Sequence, residues 1–272
     1  MNILVTLNSH YLHPLKVMLT SLFSNNPGES FSIYLMHSTI DEQDLKKLEL
    51  YIQDYGHTLT VLTVDDAYFA NTPTLKHFTT EMYYRLLAFK FLPENLDRIL
   101  YIDPDILVLN PVRELYDMEM EGYLYAAAYH SFINVKDVNK LRLNAYEIDE
   151  YYNSGVLQMN LPLQREWVKE QDIFTFVEQN RKRLLLPDQD ILNALYSTKI
   201  KSLDEKIFNY DARYYRYYKL KTNGFFDIDH VLRYTVFLHF CGKKKPWHKN
   251  YNGKFHALYK HYENMAFKEE VR

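Results

Sequence analysis

The chain has 272 residues and carries 32 Lys and Arg against 35 Asp and Glu, which gives a formal net charge of -3 at pH 7. This balance lacks the strong basic excess of a general nucleic-acid binder, so we expect no nucleic-acid partner. The single cysteine, Cys241, excludes an intramolecular disulfide, and no apolar run approaches the roughly 20 residues of a membrane span. Together with an N-terminal apolar segment too short for a signal peptide, these features predict a cytoplasmic protein.

Glycine is scarce and tyrosine is abundant, with seven and 25 residues respectively. Neither G-x-G-x-x-G nor G-x-x-x-x-G-K-[ST] occurs, so a dinucleotide-binding loop or a P-loop is not expected. Tyrosine suits the stacking of sugars or bases because its ring has an apolar face and a polar tip, although it serves ordinary packing equally well.

Predicted strands and helices alternate along the first half of the chain. The apolar patterns predict strands over residues 3–7, 31–36, 58–64 and 98–102. We expect one helix to open at Pro14, a second to follow the capping-box pair Thr39 and Glu42 and end before Gly56, and a third over 83–91. This β-α-β order predicts an α/β fold, with a mostly parallel sheet and helices on both faces.

The second half of the chain is less regular. Further strands are predicted over residues 124–129, 155–160 and 236–240. Helices are predicted over 167–180 and from Pro187, with Asp188 as the N-cap of the latter. Because no internal repeat or low-complexity linker interrupts the chain, we expect a single domain over 1–248 and a short C-terminal tail over 249–272.

The C-terminal region, residues 243–268, interleaves lysines with aromatic residues. Such a segment suits peripheral contact with an anionic membrane surface. A cytoplasmic protein would make this contact at the inner face of the membrane. An ordinary solvated extension is the alternative interpretation.

Two aspartates follow the predicted strand at 98–102. Residues i and i+2 of an extended chain point to the same side, so Asp103 and Asp105 can aim at one point, and Pro104 between them suits a strand end. Two carboxylates this close repel each other unless a cation relieves them, and oxygen ligands favour magnesium, calcium or manganese. The carboxyl ends of strands are also where open α/β sheets bind ligands. The alternative is an exposed turn with two solvated aspartates.

Five separate segments occur in order along the chain: YYRL at 83–86, ILYIDPD at 99–105, YNSGVL at 152–157, DQDILN at 188–193 and HFCGKKKPWH at 239–248. Together they resemble glycosyltransferase family 8, which includes bacterial lipopolysaccharide and lipooligosaccharide galactosyl- and glucosyltransferases and the glycogenins. The resemblance implies the GT-A fold, a Rossmann-like single domain. It also implies a UDP-sugar donor, a divalent metal (usually Mn²⁺, with Mg²⁺ as the other candidate) and retention of the anomeric configuration.

The resemblance further implies roles for individual residues. The implied metal ligands are Asp103, Asp105 and His239. The residues implied in binding the UDP-sugar are Tyr11, Asn8, Arg85, Asn153, Gly242 and Lys245. Gln189 and Asp188 are implied beside the transferred sugar, as the catalytic residues.

Two departures from the family pattern affect the expected specificity. Asn8 and His10 stand where the family often has acidic and amide groups for uracil and ribose, but asparagine keeps both a donor and an acceptor for the uracil edge. The segment Ala-Tyr-His-Ser at 128–131 stands where galactosyltransferases of the family often have an aspartate. The transferred sugar, galactose or glucose, is therefore left open.

The predicted reaction moves a hexose from a UDP-sugar to a hydroxyl of a saccharide or glycolipid acceptor, by front-face attack with Gln189 and Asp188 positioning the reacting centre. One alternative is a metal-dependent phosphoesterase or nuclease, which usually needs more ligating carboxylates or histidines. Another is a non-catalytic module that binds a nucleotide sugar or a glycan. A third is self-glucosylation of the glycogenin kind, at one of the tyrosines Tyr214, Tyr215, Tyr217 and Tyr218.

Overall fold

The computed structural model describes residues 1–69, 83–130, 136–145 and 147–268. Its strands are β1 (Asn2–Thr6), β2 (Ser32–His37), β3 (Thr58–Thr63), β4 (Arg98–Ile102), β5 (Ile106–Val108), β6 (Tyr125–Ala128), β7 (Val156–Asn160), β8 (Ile200–Leu203), β9 (Tyr210–Asp211) and β10 (Phe237–His239). Its helices are α1 (Leu12–Ser24), α2 (Glu42–Asp54), α3 (Tyr84–Leu87), α4 (Arg113–Tyr116), α5 (Lys136–Leu143), α6 (Leu161–Trp167), α7 (Glu170–Asn180), α8 (Pro187–Tyr196), α9 (Glu205–Phe208), α10 (Tyr215–Lys221), α11 (Ile228–Tyr234) and α12 (His256–Ala266).

Within the described residues, a seven-stranded sheet has the order β3-β2-β1-β4-β7-β6-β8. The pairs β1–β2, β1–β4, β2–β3 and β6–β8 are parallel, whereas β7 is antiparallel to both β4 and β6. The prediction of an α/β fold in a single domain with a mostly parallel sheet is therefore confirmed. The sequence did not indicate that β7 reverses direction, because burial on both faces gives parallel and antiparallel central strands similar apolar runs.

Alternate residues of β4 belong to the two apolar clusters on opposite faces of the sheet. Ile99 and Tyr101 pack with residues of α3, α7 and α8, whereas Leu100 and Ile102 pack with residues of α1 and α2. All four of these strand residues are fully buried, which accounts for their apolar character. The period of two along an extended chain continues this alternation to Asp103, on the face of Ile99 and Tyr101.

A small second sheet lies next to the two aspartates. It has the order β5-β10-β9, and His239 of β10 lies opposite both Ile106 of β5 and Asp211 of β9. The Phe240 N–H donates to the Asp105 carbonyl at 3.0 Å. The strand predicted over 236–240 therefore exists, and its pairing brings His239 next to the residues that follow β4.

Several predicted helix boundaries were wrong. The N-cap of α2 is Asp41, whose carboxylate accepts from the Asp44 N–H at 2.8 Å, so Thr39 is not the capping residue. α1 begins at Leu12, two residues before Pro14, which is possible because proline is tolerated within the first turn of a helix. The single helix predicted over 83–91 is instead the short α3 followed by a 3₁₀ turn over Ala88–Lys90. The single helix predicted over 167–180 is divided between the last residue of α6, Trp167, and the whole of α7.

The C-terminal region packs against the rest of the fold. Phe255, Tyr259 and Tyr262 are buried in a third apolar cluster that also contains Val17 of α1. The Tyr262 hydroxyl accepts from the Asn25 side chain at 2.7 Å. These rings were predicted as candidates for membrane contact and instead contribute to the core. The division of the chain into a domain and a tail at residue 248 stays a prediction. Among the described residues, no helix has the length and apolar character needed to cross a membrane.

Candidate active site

Three potential metal ligands meet at the ends of β4 and β10. One ligand atom from each of Asp103, Asp105 and His239 lies within 4.8 Å of the others. The His239 Nε2 atom is 3.3 Å from the Asp105 Oδ1 atom. His239 and Asp105 are buried, and Asp103 is half-buried. Two carboxylates and an imidazole suit a divalent cation such as Mn²⁺ and leave further coordination positions open, so this donor set fits the implied metal.

Two cations lie against the carboxylates of this cluster. The Arg85 Nη2 atom is 3.1 Å from Asp103 Oδ1, and its guanidinium carbon is 4.5 Å from the centre of the Tyr101 ring. The Lys245 ammonium donates to Asp105 and, at 3.0 Å, to the Phe240 carbonyl. Both predicted basic residues therefore touch the aspartate pair.

The two aspartates differ in their electrostatic environments. Burial raises the pKa of Asp103, and the charge of Asp105 adds to this effect while Arg85 opposes it. Burial also disfavours the charged form of Asp105, but His239 and Lys245 together lower the pKa of Asp105 well below its usual range. An added cation beside Asp103 would therefore favour its ionised form.

A chain of amide side chains runs from His239 to α8. The Asn209 Oδ1 atom is 2.8 Å from His239 Nδ1, so the tautomer with a proton on Nδ1 leaves Nε2 to face Asp105. The Asn209 amide donates to Asn153 Oδ1 at 2.8 Å, and the Asn153 amide donates to Gln189 Oε1 at 3.4 Å. Asn209 was not anticipated, because a single asparagine in an irregular segment gives no sequence signal.

Arg85 also connects the aspartate pair to α8. Its Nη1 atom is 3.0 Å from Asp188 Oδ2 and donates to the Ser154 carbonyl at 3.1 Å. The Ser154 hydroxyl donates to the same Asp188 oxygen at 3.0 Å. The prediction that Asp188 is an N-cap was wrong: α8 begins at Pro187, and Asp188 lies in its first turn, where a carboxylate is favoured by the helix dipole.

The buried carboxylate of Asp190 fixes the first turn of α8 in addition to the contacts of Asp188. Asp190 is fully buried, and its oxygens accept from both terminal nitrogens of Arg142 at 2.5 and 3.0 Å and from the Tyr151 hydroxyl at 2.5 Å. The Leu185 and Leu186 N–H groups also donate to it, at 2.7 and 3.1 Å. These Asp190 contacts are structural, and they fix the first turn of α8 to Arg142 of α5 and to Tyr151.

Gly155 is a site residue whose role the sequence alone did not indicate. A Cβ atom at this position would lie 2.4 Å from His239 Cε1 and 2.9 Å from Asp103 Oδ2. The Gly155 carbonyl accepts from the Asp103 N–H at 2.8 Å, which joins the start of β7 to the aspartate pair. Only a residue without a side chain allows the metal-ligand cluster to close here.

Of the residues implied in binding the UDP-sugar, Asn8 and Tyr11 lie before the start of α1, and Gly242 and Lys245 lie in the segment after β10. Asn8 caps the 3₁₀ turn over Ser9–Tyr11, with its side-chain oxygen accepting from the His10 N–H at 3.2 Å, so its amide donors remain for a ligand. Tyr11 packs edge-on against Trp247 with ring centres 6.1 Å apart.

Gly242 has a backbone φ of +86°, and a Cβ there would lie 2.9 Å from Arg213 Nη1. A side chain at this position would therefore be strained by its backbone conformation and would displace the end of Arg213. Arg213 itself pairs with Asp211, whose carboxylate is fully buried.

In the segment 128–131, where the family often has an aspartate, His130 lies between two acidic residues. Its Nδ1 atom is 2.8 Å from Glu205 Oε2, and its Nε2 atom is 3.7 Å from Asp211 Oδ2. The ring also packs edge-on against Tyr214, with centres 5.4 Å apart. Ser131, the last residue of the segment singled out in the sequence, lies outside the described residues.

Comparison with known proteins identifies the family. The model of glycosyl transferase family 8 matches residues 2–251. The chain belongs to glycosyl transferase family 8. It is therefore a glycosyltransferase, and the resemblance seen in the separate sequence motifs is confirmed across nearly the whole chain.

Individual proteins are similar to this chain over most of its length. The chain is 27% identical to general stress protein A of Bacillus subtilis, covering 96% of this chain and 92% of that protein. It is 24% identical to the lipopolysaccharide 1,3-galactosyltransferase of Salmonella typhimurium, covering 91% and 73%. The crystal structure of galactosyltransferase LgtC with donor and acceptor sugar analogues superposes with a TM-score of 0.80 at 21% identity, covering 97% and 96% of the two chains. The chain thus has the same fold as LgtC, which confirms the predicted GT-A fold.

Proposed function

We propose that this glycosyltransferase transfers a hexose from a UDP-sugar to a saccharide or glycolipid hydroxyl, with a divalent metal bound and with retention of the anomeric configuration. The observation that carries the proposal is the cluster of Asp103, Asp105 and His239, which has Arg85 and Lys245 on its carboxylates. A module that only bound glycans would have little use for two buried carboxylates, an oriented imidazole and two cations at one point. A phosphoesterase of the predicted alternative kind would need more ligands than this cluster offers.

Asp103, Asp105 and His239 would hold the metal, with Mn²⁺ or Mg²⁺ as the candidates. The Asn209 carbonyl oxygen beside His239 Nδ1 supports this role, since ligating histidines usually donate their second N–H to such a group. When bound, a divalent cation supplies Lewis acidity that neutralises charge on the departing UDP.

The chain's own cations act on the same leaving group. Lys245 is held at Asp105, and Arg85 is held between Asp103 and Asp188, so both charges are fixed before a donor arrives. Fixed positive charge is effective where negative charge develops, because the protein need not reorganise during bond cleavage. Tyr11, Asn8, Asn153 and Gly242 are the remaining residues proposed to contact the donor.

Retention requires either a covalent intermediate or attack from the face of the leaving group. Retaining hydrolases use two carboxylates roughly 5 Å apart across the scissile bond, one of them as nucleophile. Asp103 and Asp105 are assigned to the metal, and both oxygens of Asp190 are occupied by Arg142, Tyr151 and backbone N–H groups. This arrangement favours front-face transfer, with Gln189 and Asp188 positioning the reacting sugar.

The activities named for two relatives indicate an acceptor class and two candidate sugars. Relatives include lipopolysaccharide 1,3-galactosyltransferase and lipopolysaccharide 1,2-glucosyltransferase, so a cell-envelope saccharide is the proposed acceptor class and either hexose is a candidate. Self-glucosylation is disfavoured at Tyr215 and Tyr218, because both are buried in the third apolar cluster.

The test is a screen of UDP-glucose, UDP-galactose and their GDP counterparts with Mn²⁺ or EDTA, following release of the nucleoside diphosphate. We expect release from one UDP-hexose in the presence of metal, with the α-linked product identified by its anomeric proton signal. An inverted product would refute retention. Turnover in EDTA equal to that with Mn²⁺ would refute the assigned role of the cluster.

A further inference from the structure

Four large apolar side chains lie exposed beside the start of α8. Val138 and Leu141 on α5 are 66% and 73% exposed, and Leu185 and Leu186 in the segment before α8 are 65% and 52% exposed. Such side chains normally lie inside a protein, and a cluster of them on the surface, bordered by polar groups, is typical of an interaction site.

The two segments that carry these residues belong to one surface. Arg142 of α5 donates to the Arg183 carbonyl at 2.5 Å and pairs with Asp190 of α8. The Leu185 N–H donates to the same Asp190 carboxylate at 2.7 Å. A single buried carboxylate therefore fixes α5 and the segment before α8 side by side.

Basic side chains border this apolar cluster. Lys182 and Arg183 are exposed and Lys140 is half-exposed, and within the described ranges no carboxylate forms an ion pair with any of the three. The rim surface is defined here by the residues Val138, Lys140, Leu141, Lys182, Arg183, Leu185 and Leu186. It combines apolar side chains with cations that have no acidic partner among the described residues.

We propose that the rim surface docks on an anionic lipid bilayer. Leucine side chains gain free energy by entering the boundary between headgroups and acyl chains, and Lys and Arg are attracted to anionic headgroups at the same depth. A second copy of the chain fits less well, because a symmetric interface built from this surface would bring together the cations of both copies without a rim carboxylate to pair with them.

Docking here would also affect the reaction, a consequence that rests on the proposed function. Leu185 and Leu186 are separated from Asp188 and Gln189 only by Pro187. A bilayer against the rim surface would therefore bring the saccharide of a membrane-anchored acceptor to the entrance of the site, while soluble acceptors would reach it without the membrane.

A second exposed apolar surface provides a matched control. Leu220 near the end of α10 and Phe225 in the turn that follows are 78% and 67% exposed. Here the exposed lysines Lys219 and Lys221 are matched in number by the carboxylates Asp227 and Asp229, so this surface lacks the unpaired positive charge of the rim surface and should bind an anionic bilayer less well. Substitutions here remove as much exposed apolar side chain as those in the rim surface.

The experiment is flotation of the full-length chain with vesicles of phosphatidylglycerol and phosphatidylethanolamine, or of phosphatidylcholine alone. We expect binding to the anionic vesicles only, and weaker binding in high salt. The double variant L141S/L185S should reduce the partition coefficient by at least about tenfold, because two leucines no longer enter the lipid. The variant K182E/R183E should reduce it by a similar factor, and L220S/F225S should leave it unchanged.

The outcomes separate this proposal from the proposed function, because flotation requires neither donor nor metal. Unchanged thermal midpoints would show that the variants fold. Absence of binding to anionic vesicles, or equal losses in the rim and control variants, would overturn the docking proposal and leave the reaction untouched. A self-association that L141S/L185S abolishes, without vesicle binding, would instead assign the rim surface to a second copy.

Discussion

Replacing Gly155 with alanine places a methyl carbon inside the candidate metal cluster. That carbon would lie 2.4 Å from Cε1 of His239 and 2.9 Å from Oδ2 of Asp103, both too close for real contacts. The buried imidazole must move, and it has little room because Asn209 holds its Nδ1 atom at 2.8 Å. Overpacking of this kind costs about 1–3 kcal/mol of folding stability.

The larger effect is expected on metal affinity. Disturbing the orientation of a ligand typically costs about 10–100-fold in metal binding, and we expect the dissociation constant for Mn²⁺ to rise by that factor in Gly155→Ala. Calorimetric titration of Mn²⁺ in the presence of UDP measures it, and urea unfolding measures the accompanying loss of stability.

Gly122→Ala is the matched control. Gly122 has φ +76°, and a Cβ atom added there would have no other atom within 4 Å, so alanine adds backbone strain of about 1–2 kcal/mol without touching the cluster. We expect a similar loss of stability and normal Mn²⁺ affinity. If Gly155→Ala binds Mn²⁺ as tightly as the unmodified chain, or if both variants lose affinity equally, the steric argument is refuted.

Three further substitutions test other contacts. Arg142→Leu leaves the buried Asp190 carboxylate without its cation, so the free energy of unfolding in urea should fall by about 3 kcal/mol, and a fall below about 1 kcal/mol would contradict this account. Asn209→Leu removes the acceptor at His239 Nδ1 and should weaken Mn²⁺ binding about tenfold or more, whereas unchanged affinity would show that the imidazole is oriented by other contacts. Lys245→Met removes a fixed cation and should lower kcat by roughly 10²-fold with the fold intact, and an unchanged kcat would exclude it from leaving-group stabilisation.

The sequence was sufficient for the features that depend on local pattern. The strand at Arg98–Ile102 was predicted with its observed bounds, because a short apolar run that ends in Asp-Pro-Asp leaves few other interpretations. Pro104 and Asp105 form a turn instead of continuing the extended strand, but Asp103 and Asp105 lie close together as predicted. Their proximity to His239 came from the family resemblance, since no local pattern relates residues more than a hundred positions apart.

The features that the sequence missed depend on tertiary contacts. Gly155 is required because His239 and Asp103 crowd it, and Asp188 lies in the first turn of α8, bound to Arg85, rather than at the N-cap. The aromatic C-terminal region was ambiguous for a similar reason. An amphipathic helix with lysines on one side has the same pattern whether its rings face lipid or, as Tyr259 does here, the core.

The central claim is that the Asp103, Asp105 and His239 cluster binds a metal together with a uridine diphosphate. The most direct measurement is a thermal-shift panel of UDP, GDP, CDP and ADP, each with Mn²⁺ and with EDTA, on the unmodified chain and on Asp105→Ala. A ligand at 100 times its dissociation constant stabilises the fold by about 2.7 kcal/mol, which is readily detected. We predict a raised midpoint for UDP with Mn²⁺ alone, lost in Asp105→Ala. A shift that is the same in EDTA, or that survives Asp105→Ala, would contradict the claim.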